Sequence, residues 1–300
     1  MCSSDLELYA KIIFLDVASF GRMEPYRIAA RRIKNLLLGR NMLNVYEVAV
    51  KKKLYNKMVL FLVEPASVCS ENYIKKNHNN FNLVFTWDDD LVDDIKYYKF
   101  YPPVTNVYPD ISEKPFETKK LLINISRNKI SSHPNELYSR RLESIRFFEQ
   151  NYTEDFDLFG SGWEKGDSNG DGFICYRGEV ANKWDVLPNY RFCLAYENIS
   201  SQNGYISEKI FDVLRCKSVP VYWGAPNVSD YIPDNVFIDR RKFNSNVEFG
   251  QFLMRMSEDD YKKYRINGEK FLLSSEFKKF LSETYVEDIM KVLGINKREE

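Results

Sequence analysis

The sequence predicts an α/β fold of parallel strands and helices, organised as two domains. Three observations carry that expectation. Short apolar runs that stop abruptly at polar loops recur along the chain, as buried parallel strands do: residues 11–17 (KIIFLDV), 57–63 (KMVLFLV), 121–125 (LLINI), 191–196 (RFCLAY) and 219–223 (VPVYW). Between the last two, a polar loop at 199–205 leads into apolar residues at helical spacing, Ile210, Phe211, Val213 and Leu214, with Ser207 placed as N-cap, so that strand, loop, helix and strand make one βαβ unit. Finally, a chain of 300 residues has room for about two hydrophobic cores. Residues 106–120 (NVYPDISEKPFETKK) turn to proline and charge without an apolar period; they read as the linker and divide an N-terminal domain, 1–116, from a C-terminal one, 117–300.

In chain order, the first strand is followed by a basic segment (Arg22, Arg27, Arg31, Arg32, Arg40) that carries a helix over 25–38. A solvated helix face is the simpler reading and peripheral contact with an anionic lipid surface the other; Lys51-Lys52-Lys53 has the same two. The strand at 57–63 ends at Glu64-Pro65. A carboxylate just past a buried strand, kept out of a helix by the proline, lies where α/β folds place working groups, against the alternative of a plain surface glutamate. Residues 81–86 (FNLVFT) form the next strand, and Trp87-Asp88-Asp89-Asp90 follows. Neighbouring residues on an extended chain point in alternate directions, so the three aspartates make a poor shared metal set and read as a solvated or ligand-contacting loop. Residues 97–103 (YYKFYPP) close the first sheet.

The second domain opens with strand 121–125, the loop Ser126-Arg127-Asn128-Lys129, and a helix from His133-Pro134 to Phe148. Strand, basic polar loop and helix is a phosphate-facing arrangement. Arg140 and Arg141 lie on that helix, where arginines ordinarily sit on the surface and bond to nearby glutamates. After strand 156–160, residues 167–172 (DSNGDG) match the opening of an EF-hand loop, but Gly178 stands where the bidentate glutamate belongs and no helix precedes, so a mobile loop near the ligand is expected instead. Glu208 and Lys209 open the helix of the βαβ unit, where free N–H groups favour an anion. Lys209 adds a charge suited to phosphate and Glu208 an acceptor for sugar hydroxyls, unless the pair is only a solvated turn. Beyond Phe243, residues 247–256, 259–273 and 277–293 read as packing helices.

Composition removes several function classes. Lys plus Arg equals Asp plus Glu at 43 each, so no global field points to nucleic acid. The 2 histidines, His78 and His133, fit neither a catalytic triad nor a zinc site, and the 5 scattered cysteines suggest a reducing compartment rather than a disulfide framework. No apolar run approaches the ~20 residues that span a bilayer, and no signal peptide is evident.

The strings Tyr196-Glu197-Asn198, Tyr205-Ile206-Ser207-Glu208-Lys209 and Val219-Pro220-Val221-Tyr222-Trp223-Gly224-Ala225-Pro226, followed by Phe237-Ile238-Asp239 and Phe243, stand in the order and near the spacing of a known signature. The chain closely resembles the α-1,3-fucosyltransferase family (glycosyltransferase family 10), of bacterial type. The resemblance extends more thinly to Glu64 and to the segment from Phe81. It implies a GT-B-type fold, two Rossmann-like domains facing a cleft, the first for the acceptor and the second for a GDP-sugar. It implies inverting transfer of L-fucose from GDP-fucose to an N-acetylglucosamine-containing oligosaccharide or glycolipid, with no metal or other cofactor, by a cytoplasmic enzyme peripheral at most to the inner membrane. Glu64 is then the catalytic base, Arg141 and Lys209 hold the pyrophosphate, and Asn198, Tyr205 and Glu208 bind ribose, phosphate or fucose. Transfer from another GDP-sugar, nucleotide-sugar binding without catalysis and a calcium-regulated module remain open as alternatives.

Overall fold

Two parallel sheets form where the apolar runs predict strands. The structure, a computed structural model, describes residues 10–17, 44–167 and 169–295, so the helix expected over 25–38 and its arginines lie outside the described residues. The chain divides into two compact units, Met1–Phe100 and Tyr101–Glu300.

In the first unit β1 (Ile12–Leu15), β2 (Met58–Leu62), β3 (Leu83–Thr86) and β4 (Tyr97–Lys99) pair in that order, all parallel. Every residue of β2 is buried, which is why its sequence, MVLFL, does not alternate. Edge strand β1 alternates, with Ile13 and Leu15 exposed. A helix the sequence reading did not assign, α1 (Val45–Lys51), precedes β2; the Asn44 side chain caps it by accepting the Glu47 N–H at 3.3 Å. The aspartates after β3 go separate ways: Asp88 Oδ1 accepts the Asp90 N–H, and Asp89 pairs with Lys99 at 2.5 Å.

In the second unit β5 (Lys120–Ile125), β6 (Phe156–Phe159), β7 (Tyr190–Tyr196), β8 (Val219–Trp223) and β9 (Ile238–Asp239) form one parallel sheet in the order β6-β5-β7-β8-β9. The helices are α2 (Tyr138–Asn151), α3 (Glu208–Arg215), α4 (Asn246–Arg255), α5 (Glu258–Leu272), α6 (Ser275–Lys278) and α7 (Ser282–Leu293). Alternate residues of β7 enter different cores: Phe192, Leu194 and Tyr196 join Ile145 and Phe148 of α2 and Phe249 of α4, while Cys193 and Ala195 join Val213 of α3. The sheet is therefore covered on both faces, as a doubly wound fold requires. Among the described residues no helix is long and apolar enough to cross a membrane.

Local expectations change where distant residues intervene. Residues 106–120 are not a free linker, and the segment leading into them is bonded to the second unit. The Val104 N–H donates to the Phe280 carbonyl, the Ser282 N–H donates to the Val104 carbonyl, and Glu113 pairs with Arg265 at 2.9 Å. The Val104 pairing also splits the helix expected over 277–293 into α6 and α7, because a strand-like bridge at Leu281 is incompatible with continuous helix. The helix expected from His133 starts only at Tyr138, since residues 135–137 bond to the loop after β7: Leu137 N–H to the Asn198 carbonyl and Ser200 N–H to the Asn135 carbonyl. Asp167 and its neighbours are clamped: Arg146 donates to Asp167 Oδ2 and to the carbonyls of Asp171 and Gly172, and lies 3.7 Å from the centre of the Phe173 ring. A guanidinium thus takes an oxygen of the carboxylate that would be the first ligand of a calcium loop. Among the described residues no cluster of three His, Cys, Asp or Glu side chains could hold a metal.

Candidate functional site

From β5 the chain passes first to β6 on one side and then to β7 on the other. Loops leaving the carboxyl ends of two such strands diverge to opposite faces of the sheet and leave a crevice. A cavity of about 350 Å³ occupies that position, lined by Ile125 and Ser126 at the end of β5, by Leu194, Ala195 and Tyr196 of β7, and by the first turns of α2 and α3. Its wall carries Arg127, Lys129, Arg141, Lys183 and Lys209 against Glu208 and Asp212, so it is net positive although the chain as a whole is neutral. A concave, low-dielectric wall of one sign concentrates ligands of the other.

Arg141 is 4% exposed, and its Nη2 donates to the carbonyls of Tyr196 at 2.7 Å and Glu197 at 3.1 Å. No carboxylate is in ion-pair contact with it among the described residues, and burial pulls its guanidinium below the ordinary arginine range. An anion in the cavity offsets that penalty. Arg140, one residue earlier, is exposed and pairs with Glu143 at 2.9 Å. Of the two arginines the sequence offered, only Arg141 reaches the cavity. The bonds between residues 135–137 and the loop after β7 fix the start of α2 and so place it there.

Lys209 also lines the cavity, but its ammonium is shared: Nζ donates to Glu197 Oε2 and to Ser207 Oγ, both at 2.8 Å. Glu197 is fully buried, and its other oxygen accepts the Ser207 N–H at 2.8 Å. Ser207 stands at the N-cap position of α3, as expected, but its side chain makes no cap bond: its hydroxyl donates to Glu197 Oε2 at 2.8 Å and its oxygen accepts from the Lys209 ammonium in place of a helix N–H. Space around Glu197 is tight enough that a Cβ at Gly224 would come 2.5 Å from its Cγ. Glu197 was quoted in the signature but given no role; a carboxylate closing an apolar strand was the available signal.

Glu208 lies at the cavity mouth, exposed by surface yet flanked closely by other groups. Burial works to raise its carboxyl, and Lys209 with the amide at the helix start outweighs it, holding the group below the usual carboxylate range. Asn198 lines the cavity and donates through Nδ2 to the Tyr205 hydroxyl at 3.2 Å. Tyr205 is buried and is not part of the lining, so it supports Asn198 instead of facing a ligand there. Sequence reasoning missed Lys183 and Asp212, which pair across the cavity floor; burial raises the Asp212 carboxyl and Lys183 opposes the shift. Lys183 comes from a short turn with no periodic signal.

The loop after β5 has an anchored side and a free side. Asn128 donates to the carbonyls of Gly162 and Gly166, and the Trp163 indole donates to the Ser126 carbonyl at 2.6 Å. At Gly160, whose φ is +119°, a Cβ would lie 2.0 Å from that same carbonyl oxygen. Arg127 and Lys129 are exposed and have no hydrogen-bond or ion-pair partner among the described residues. Glu64 belongs to the first unit, half-buried just past the carboxyl end of β2.

Residues 117–281, which hold every part of the cavity, match the family model described as glycosyltransferase family 10 (fucosyltransferase) C-term. The chain belongs to glycosyltransferase family 10. An alpha-(1,4)-fucosyltransferase of Arabidopsis thaliana is 39% identical over 74 residues, which is 25% of this chain and 18% of that protein. GDP-fucose protein O-fucosyltransferase 3 of Rattus norvegicus is 36% identical over 90 residues, 28% of this chain and 18% of that protein. The matches thus span under a fifth of these relatives' length. In fold, the chain is similar to a crystal structure of an alpha1,3-fucosyltransferase, with a TM-score of 0.52 and 14% identity over 95% of this chain and 90% of that one. The α/β fold is accordingly of GT-B type.

Proposed function

We propose that this family 10 chain transfers L-fucose from GDP-fucose to a glycan hydroxyl with inversion at the anomeric carbon. The observation that carries the reading is the net-positive cavity at the β5/β7 switch, inside the family-matched segment, with the buried Arg141 lacking a carboxylate partner. Arg141 and Lys209 take the diphosphate, and Asn198 and Glu208 take hydroxyls of ribose or fucose. Glu197 keeps Lys209 and the first turn of α3 in place. The acceptor hydroxyl attacks the anomeric carbon as the bond to the diphosphate breaks, through an oxocarbenium-like state. Glu64, assigned by its place after β2 and its match to the family, receives the hydroxyl proton. The cations offset the charge that grows on the departing diphosphate, so the reaction needs no divalent metal.

The acceptor is an N-acetylglucosamine-containing oligosaccharide or glycolipid. A second reading, a hydroxyl of a protein, is favoured by the matches to relatives named GDP-fucose protein O-fucosyltransferase 3. Incubation with GDP-fucose, lactosamine-type acceptors and hydroxyl-bearing peptides, with mass detection of product, separates the two. GDP-mannose in place of GDP-fucose tests the donor sugar. Retained turnover in EDTA is expected, and complete loss there contradicts the metal-free mechanism. A Glu64→Ala variant that forms product at the wild-type rate contradicts the assignment of the base.

A further inference from the structure

Val63 and Glu64 leave β2 just before Pro65, and all four backbone polar groups of this dipeptide are taken by side chains. The Val63 N–H donates to Asp16 Oδ1 at 2.7 Å, and the Glu64 N–H donates to the same oxygen at 3.0 Å. The Val63 carbonyl accepts from the Trp87 indole at 2.9 Å. The Glu64 carbonyl accepts from Asn72 Nδ2 at 2.9 Å and from the Tyr73 hydroxyl at 3.4 Å. Backbone groups at a strand end are ordinarily satisfied by the ladder or by water. Here residues from the loops after β1, β2 and β3 converge on one dipeptide.

The converging groups are themselves fixed. Asn72, fully buried, donates through the same Nδ2 to Asp16 Oδ1 at 2.6 Å and accepts the Val17 N–H through Oδ1 at 2.9 Å. The Asn72 carbonyl bonds to His78 Nε2 at 2.8 Å. Trp87 is fully buried. Asp16 adopts a left-handed backbone, φ 55°, a conformation disfavoured for residues with a Cβ and tolerated best by Asp and Asn. Such outliers persist where surrounding structure over-determines them, and they concentrate at working sites. Pairing β1 with β2 does not require the Asp16 side chain, because the ladder from Ile12 to Leu15 is complete without it.

We propose that Asp16, Asn72 and Trp87 are positioning residues that hold the Glu64 backbone, and with it the direction of the Glu64 side chain, for proton transfer from the acceptor. The inference rests on the assignment of Glu64 as base and adds what aims it. Misplacement of a reacting group by about 1 Å costs on the order of 100-fold in rate, and a glutamate on an unsupported loop has that freedom.

Steady-state kinetics with GDP-fucose and a lactosamine acceptor test it. Asp16→Ala lowers kcat about tenfold or more while KM for GDP-fucose and the stoichiometry of GDP binding stay at wild-type values. Asp16→Asn, which keeps an oxygen to accept both N–H groups, restores most of kcat. A purely structural role lowers kcat and the GDP-binding fraction together. Trp87→Phe removes one donor and little volume, so it serves where Asp16→Ala does not fold; its kcat falls several-fold with KM unchanged. A folded Asp16→Ala or Trp87→Phe enzyme with wild-type kcat overturns the proposal while leaving Glu64 as base. Full activity in Glu64→Gln, or no transfer by the wild type, overturns the assignment of the base and this proposal with it.

Discussion

At the end of β7 the cavity-lining side chains are bonded to neighbours in the same βαβ region, whereas at the end of β2 Glu64 stands on a backbone held from distant loops. Arg141 binds the carbonyls of Tyr196 and Glu197, Glu197 binds Ser207 and Lys209, and Asn198 binds Tyr205, all within one βαβ unit and the helix beside it. The Val63–Glu64 dipeptide depends on Asp16 and Asn72, which lie 48 and 8 residues from Glu64, and on Trp87, which lies 24 residues from Val63. The contrast separates two ways of making a site rigid. The charged cavity is fixed by bonds from its lining side chains to the residues directly behind them, and Glu64 is held through bonds to its own backbone.

The comparison breaks most sharply at Glu64. Glu64→Gln is expected to lower transfer on the order of 10²- to 10⁴-fold with GDP affinity unchanged, and a parallel loss of both contradicts the separation of roles. Glu197→Ala comes next, on stability. It leaves the Ser207 N–H and the Lys209 ammonium facing a vacated carboxylate site, and costs about 3 kcal/mol, read from the denaturant midpoint. Arg141→Ala weakens GDP binding by about 10- to 100-fold, measured by titration calorimetry, with little change in midpoint.

The smallest effect sharpens the electrostatic side. Asp157 of β6 is buried, which works to raise its carboxyl, but Lys120, Tyr190 and Arg177 hold it below the ordinary range. Its contribution to stability is complete above the usual carboxylate pKa, about 4, and is lost as pH falls through its depressed folded value. Asp157→Asn therefore flattens the acid side of the stability profile of the second unit. An unchanged acid limb shows that other carboxylates carry it.

How legible each region was follows from the same contrast. Strands β2, β5, β7 and β8 announce themselves as apolar runs because both faces of a parallel sheet are covered, and the loop that opens α3 carries its signature in consecutive residues. Arg141 was preferred to its neighbour Arg140 on the family pattern alone, and in the structure Arg141 lines the cavity while Arg140 is exposed outside it. Contacts between distant residues left no such trace. Nothing near Lys183 predicts Asp212, and the Asp16 of FLDV reads as an interruption of a strand. Ser207 stands at the N-cap of α3 as its sequence position suggests, yet its hydroxyl bonds Glu197 and not the helix. The break between α6 and α7 depends on Val104, which belongs to a stretch that sequence alone assigns to no element.

The central claim is that the cavity between the ends of β5 and β7 binds the diphosphate of a guanosine-linked donor. Titration calorimetry of the whole chain with GDP tests it most directly. The account predicts saturable binding that Arg141→Ala weakens and Glu64→Gln leaves untouched. Millimolar GDP that releases no heat and leaves the melting temperature of the wild-type chain unchanged contradicts it.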